Sequence, residues 1–197
     1  MNKDILIVSA LEAETRGELD GYRLIHTGVG KVNATIELTK VLQKAHLNYL
    51  PPMPKLVVNY GTAGSRKIKK KTLVDCTKFI QRDMDVTGLG FQRGETPFES
   101  ELPVVLETQS PINPIGRNAT CGTGDCFVED KSQYYGEVVD MEAYALAKVC
   151  LQYDVPFISF KYITDGADDT AHDDWETNLA DGIIEFKKLL PELCGIE

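Results

Sequence analysis

Acidic residues recur just after short β-branched runs, a spacing that places carboxylates where strands end. Three segments show it: Ser9-Ala10-Leu11-Glu12-Ala13-Glu14, Asp140-Met141-Glu142 and Thr164-Asp165-Gly166-Ala167-Asp168. Small residues close other runs, in Thr27-Gly28-Val29-Gly30, Asn59-Tyr60-Gly61-Thr62-Ala63-Gly64 and Gly122-Thr123-Gly124-Asp125-Cys126-Phe127-Val128. Ligands of open α/β sheets collect at the carboxyl ends of strands. Acids and small residues there suit an uncharged or cationic polar ligand, and suit phosphate poorly. Carboxyl groups so placed can move protons and steady a developing positive charge.

Taken singly, each feature also has a plain structural reading. A strand-end acid such as Asp165 can cap the turn that follows. Glu142 opens a helical pattern, where the helix dipole favours an acid. Phe127 fits a core, as does Trp175 with Leu179. Gly28-Val29-Gly30 fits a tight turn and lacks the surroundings of a dinucleotide fingerprint. No Gly-rich run precedes Lys-Ser or Lys-Thr, which speaks against a nucleoside triphosphate site. His26, His46 and His172 show no metal-ligand spacing. The run Arg66, Lys67, Lys69, Lys70, Lys71 reads as a solvated loop, since it lacks the interleaved aromatics of a nucleic-acid patch.

The elements that must position these residues alternate in type. Asp4 to Ala10, Lys55 to Gly61 and Pro156 to Thr164 are near-continuous apolar runs, as in strands covered on both faces. Shorter candidates are Arg23 to Thr27, Thr72 to Ile80, Pro103 to Leu106, Ala119 to Gly122 and Glu137 to Asp140. Helical periodicity appears over Val32 to His46, carried by Val32, Ile36, Leu38, Val41 and Leu42. It returns over Met141 to Tyr153 and over Trp175 to Leu190, where Pro191 is expected to stop the helix. This alternation predicts an α/β fold, a three-layer α/β/α sandwich with a central mixed sheet.

Composition bounds the rest. A chain of 197 residues fits one domain over 1–197 with one core. Its 21 Lys and Arg against 30 Asp and Glu give a net charge of −9. That balance opposes non-specific grip on nucleic acid or anionic membrane, which basic side chains provide. No apolar run approaches the ~20 residues of a membrane span, and the N-terminus is a poor signal peptide. The five cysteines form no C-x-x-C pair and read as reduced thiols of a cytoplasmic protein.

The constellation is more specific than its members. In order and wording, the strand-end segments together with Lys31-Val32-Asn33-Ala34, Asp85-Val86-Thr87 and Val139-Asp140-Met141-Glu142-Ala143 resemble the 5′-methylthioadenosine/S-adenosylhomocysteine nucleosidases. These belong to the purine nucleoside phosphorylase-like superfamily. The resemblance spans nearly the whole chain and implies a hydrolase that splits the N-glycosidic bond of a 5′-substituted adenine nucleoside. It implies Asp165 as the acid protonating the leaving base and Glu14 as the residue activating water, with Glu12 as the alternative register. It places Glu142 and Met141 at the ribose. Phe127 and Val128 would hold the base, with Thr62, Ala63 and Gly64 along the back wall. Leu11 and Val29 would border a sleeve for the 5′ group. The family is typically homodimeric, a second subunit completing the sleeve, and Leu89, Phe91 and Pro97 occupy that segment here. Neither cofactor nor metal is implied.

Departures from the family pattern are equally specific. The connection from Glu14 to Arg23 is brief where relatives carry additional strands. Lys161 stands where arginine is usual, Asp140 where glutamate is common, and Leu89 where an aromatic often closes the sleeve. A phosphate-dependent phosphorylase is the first rival, but Glu12 and Glu14 would repel phosphate, with Arg16 the nearby arginine. The second rival is a nucleoside-binding protein with reduced catalysis, against which the three acids count.

Overall fold

The computed structural model describes residues 4–49, 51–99 and 101–195. Strand β1 (Ile5–Ser9) leads through the short helix α1 (Glu12–Thr15) to β2 (Leu24–His26), then α2 (Lys31–His46) and β3 (Leu56–Gly64). Next come β4 (Leu73–Gln81), β5 (Leu106–Glu107), β6 (Ala119–Thr123), β7 (Val138–Asp140), α3 (Ala143–Gln152) and β8 (Phe157–Asp165). The chain continues through α4 (Ala171–Asn178), α5 (Gly182–Lys187) and α6 (Leu190–Leu193).

The sheet is mixed, as expected, but it is not a simple open central layer. β3 pairs with β8, β8 with β4, β4 with β6, β6 with β7, and β7 returns to β3 at Gly64 and Val139. Five strands thus close a ring, and β1 and β2 extend it in parallel from β3. Closure is possible because β3, β4 and β8 are nine residues long and change partners along their length. β4, for example, meets β8 over Leu73 to Cys76 and β6 over Cys76 to Gln81.

Alternation along the strands feeds two cores. From β1, Leu6 and Val8 join one cluster with α2 and α3, whereas Ile5 and Ile7 join another with α5 and α6. β3 and β8 divide in the same way, Val57 and Phe157 to the first, Val58, Tyr60 and Phe160 to the second. Burial on both faces is why these strands read as unbroken apolar runs. The brief connection after Glu14 is a run of turns pinned by the fully buried Leu19.

Three expectations need correction. The helix expected over 175–190 is three short helices, and Pro191 lies in the first turn of α6 rather than after a helix end. Close packing of the chain on the sheet explains the break. A Cβ on Gly182 would sit 2.6 Å from the Tyr162 ring, and Asn178 Nδ2 is committed to the Thr164 carbonyl at 2.8 Å. In α2 the buried face is Ala34, Leu38, Leu42 and Ala45, so Val32 and Ile36 point outward, 66% and 45% exposed. The strand expected over 103–106 shrinks to Leu106–Glu107.

Candidate active site

The ends of β1, β3, β7 and β8 open onto one cavity of about 380 Å³, within the range of small-ligand sites. Its wall contains Leu11, Glu14, Val29, Thr62, Ala63, Gly64, Phe127, Val128, Met141, Glu142 and Asp165. Residues separated by up to 154 positions are therefore neighbours, and the sheet ends put them there.

β1 places Glu14. After Ser9 the chain turns through α1, and Glu14 folds back under the cavity, 4% exposed, while Glu12 stays at the surface. Its Oε2 accepts from Ser9 Oγ at 2.9 Å and from the N–H groups of Ala10 and Leu11 at 3.2 and 3.1 Å. Its Oε1 accepts from the Thr62 N–H at 2.9 Å and the Thr62 hydroxyl at 3.0 Å. Five donors on one carboxylate fix its plane and orientation.

β3 lets the acids come close by lacking side chains. A Cβ on Gly61 would lie 3.2 Å from Glu14 Oε1 and 3.3 Å from Lys161 Nζ. On Gly64 it would lie 2.4 Å from Asp165 Oδ1, which no neighbour could accommodate without moving. The Gly-Thr-Ala-Gly wording is thus a steric requirement of the carboxylates beside it.

β8 ends in Asp165, 3% exposed. Burial pushes its carboxyl above the ordinary value, opposed by the Ala167 N–H and the Thr164 hydroxyl, both at 2.9 Å, and reinforced by Asp174 and Asp168. Glu142, 8% exposed, is raised further, to about 8, first by burial and then by Asp140. Lys161 and the Gly30 N–H, 2.9 Å from Glu142 Oε1, work the other way. That amide comes from the turn before α2, where Gly30 has φ +94°, a conformation that glycine adopts without strain. The Gly-x-Gly turn here therefore binds a carboxylate.

The positions marked as departures prove to be each other's partners. Lys161 Nζ lies 2.8 Å from Asp140 Oδ2, and both side chains are 1% exposed. Burial alone would raise Asp140, but Lys161, the Thr123 hydroxyl at 2.5 Å and the Ala143 N–H at 2.8 Å hold it below the ordinary value. Burial would likewise lower Lys161, and Asp140, Cys121 and Glu142 hold it higher instead. Three neighbouring acids are thus driven in different directions, Asp140 towards the anion and Glu142 and Asp165 towards the proton-bearing form. Such divergence is typical of acid–base sites.

Leu89, Phe91 and Pro97 do not reach this cavity. Leu89 is 77% exposed, and Phe91 packs edge-on against Phe98, which is 95% exposed. Other wall residues went unforeseen. Trp175 lines the cavity instead of a core and donates to the Thr62 hydroxyl at 2.9 Å. His172 stands on the same helix turn. The arginine at the wall is Arg82, whereas Arg16 is exposed and ends α1. Arg82 is buried and clasps the carbonyls of Gly124 and Cys126 and the Cys126 sulfur, so it shapes the loop that carries Phe127. Nothing in the spacing of Trp175, His172 or Arg82 marks them, because long-range packing delivers them.

Strand ends that gather three acids against a glycine-lined wall and an aromatic side chain define a class, and a sequence model of the phosphorylase superfamily matches residues 13–193. The chain belongs to that superfamily and, within it, to the family of 5′-methylthioadenosine/S-adenosylhomocysteine nucleosidases. It is 33% identical to such a nucleosidase from Haemophilus influenzae, over 85% of this chain and 73% of that one. It is 29% identical to another from Staphylococcus haemolyticus, over 92% and 85%. The fold matches a Helicobacter pylori nucleosidase mutant with 5′-methylthioadenosine in its active site, with TM-score 0.79 and 20% identity over 98% of this chain and all of that one. A futalosine hydrolase from the same organism matches at TM-score 0.78 and 21% identity, over 95% and 97%.

Proposed function

We propose that the protein hydrolyses the N-glycosidic bond of a 5′-substituted adenine nucleoside, 5′-methylthioadenosine or S-adenosylhomocysteine, releasing adenine and the 5′-thioribose. The observation that carries this reading is the convergence of Glu14, Glu142 and Asp165 on one small cavity. Expelling a purine from ribose asks for a proton at the base, negative charge beside the sugar and an activated water.

Asp165 donates the proton to the base at N7, because its raised value keeps a proton available at the strand end. Phe127 stacks on the base, Val128 meets its edge, and Ala63 and Gly64 leave room behind it. Glu142 takes the ribose hydroxyls, with Met141 packed on the sugar. As the sugar becomes oxocarbenium-like, its charge draws Glu142 towards the anion. Glu14, held in place by its five donors, accepts the proton of the attacking water. Thr62 closes the wall, and Leu11 and Val29 flank the 5′ group.

The rim suggests how the sleeve is completed. Val29, Val32, Ile36, Leu89 and Phe98 are all substantially exposed apolar side chains, more than isolated surface residues explain. We take the active form to be a homodimer in which Leu89, Phe91 and Pro97 serve the partner's cavity. The partner in catalysis is a small purine nucleoside; neither nucleic acid nor membrane enters the reading. Among the described residues no helix is long and apolar enough to cross a membrane. Buried thiols at Cys76, Cys121 and Cys150 fit work in the reducing cytoplasm.

The decisive experiment follows adenine release from 5′-methylthioadenosine with and without phosphate. Equal rates and a free thioribose are expected. Strict phosphate dependence with a sugar-1-phosphate product would convert the reading to a phosphorylase. Tight binding of an adenosine analogue with no turnover at any pH would leave a binding protein.

A further inference from the structure

Trp175 is the chain's single tryptophan, and it sits where a plain apolar wall would suffice. Its indole Nε1–H donates to Thr62 Oγ1 at 2.9 Å, and Thr62 Oγ1 lies 3.0 Å from Glu14 Oε1. An indole nitrogen can only donate, whereas a threonine hydroxyl has one proton and two lone pairs. The Trp175 proton occupies a lone pair, so the hydroxyl's own proton is aimed at Glu14. The direction of the chain is fixed by chemistry: indole to hydroxyl to carboxylate.

The rest of the surroundings agree. Glu14 Oε1 also takes the Thr62 N–H, and Oε2 takes Ser9, Ala10 and Leu11, so each hydrogen-bond partner named here is a donor to the carboxylate. The indole is itself anchored. Asp174, its neighbour on α4, pairs with Lys70 from the loop after β3 and accepts from the Thr170 hydroxyl at 3.0 Å. The loop leaving the Thr62 strand thus helps hold the helix that aims Trp175 at Thr62.

We infer that Trp175 is a positioning residue for Glu14: its N–H locks the Thr62 hydroxyl and thereby orients the carboxylate that activates water. The inference rests on the hydrolase reading of Glu14. Phenylalanine at this position would fill most of the same space and donate nothing, which makes the N–H separable from the ring.

The test uses the full chain and 5′-methylthioadenosine, with adenine release giving kcat and KM. Trp175→Phe should lower kcat by about three- to tenfold, the effect of one lost hydrogen bond, with KM changed less than about twofold. In a Thr62→Val background the same substitution should change kcat by less than about twofold, since the indole has lost its acceptor. Emission from the lone tryptophan should shift in Thr62→Val, which tests the indole–hydroxyl bond even if Trp175→Phe does not fold. A raised KM at unchanged kcat, full additivity in the double variant, or unshifted emission would each overturn the inference. Glu14→Gln separates the two levels. If it loses turnover while Trp175→Phe keeps kcat, the relay alone falls; if it turns over normally, the reading of Glu14 falls and the relay with it.

Discussion

At the cavity floor, Glu14, Glu142 and Asp165 are 4%, 8% and 3% exposed, each tied to backbone amides of its own chain. The rim segment between β4 and β5 stands outside the cavity wall, with Leu89 and Phe98 77% and 95% exposed. The floor places ionisable groups out of water and the rim places hydrocarbon into it, and each is costly unless something compensates. For the floor the compensation is internal: amides, hydroxyls and Lys161 face the acids. For the rim the proposed homodimer would supply it from a second copy. On that proposal one chain positions the acids and a second completes the enclosure.

The sharpest way to break this contrast is at Asp165. Asp165→Asn keeps shape and volume but cannot supply a proton. Turnover should fall by about 10² to 10⁴, the usual worth of a general acid, while calorimetry shows an adenosine analogue still binding. Unchanged turnover would mean that the floor is merely structural. Gly64→Ala probes the same acid without touching it. The new Cβ would lie 2.4 Å from Asp165 Oδ1, so the carboxyl must move. Misplacement on that scale should cost about 10²-fold in kcat, measured beside a melting curve to show that the fold survives. A fully active Gly64→Ala would show that Asp165 needs no fixed position.

Much of this floor was legible in the sequence, and the reasons are local. A run such as Ile5 to Ser9 announces a strand buried on both faces, and the acid after it is then a strand-end acid by necessity. Thr62, Ala63 and Gly64 were assigned to the back wall through the family resemblance, and they line the cavity. Trp175, Arg82 and the Lys161–Asp140 pairing were not readable in their roles. Each depends on ring closure of β3, β8, β4, β6 and β7, which no periodicity encodes. α2 shows the same limit from the other side: Val32 and Ile36 share with Leu38 and Leu42 a helical stripe that looks like core, yet the buried face runs through Ala34, Leu38, Leu42 and Ala45 and leaves them out. The break at Gly182 follows from Tyr60 and Tyr162, more than a hundred and twenty and twenty residues or so away in the chain.

Glu142 sharpens the comparison thermodynamically. Its carboxyl is raised to about 8 from an ordinary 4.5, first by burial. A group raised in the folded state adds stability that is whole below its unfolded value and lost as pH rises through the folded one. In the empty cavity, Glu142 should therefore weaken the fold progressively between about pH 4.5 and 8. Glu142→Gln should flatten that slope by an amount on the order of a few kcal/mol, read from urea melts at several pH values. An unchanged slope would show that the Asp140–Lys161 pair, rather than Glu142, governs the charge of the floor.

The smallest effect on the single chain is expected at the rim, and its smallness is informative. Leu89→Ser removes hydrocarbon that already lies in water, so the folding stability of one chain should change by less than about 0.5 kcal/mol. If a second copy covers this surface, the same change should weaken association, seen by sedimentation, and raise KM for 5′-alkylthio nucleosides several-fold. For adenosine, which has little to place in the sleeve, KM should hardly move. A monodisperse monomer with unaltered KM for both substrates would mean that the rim is simply solvated and that the chain encloses its ligand alone.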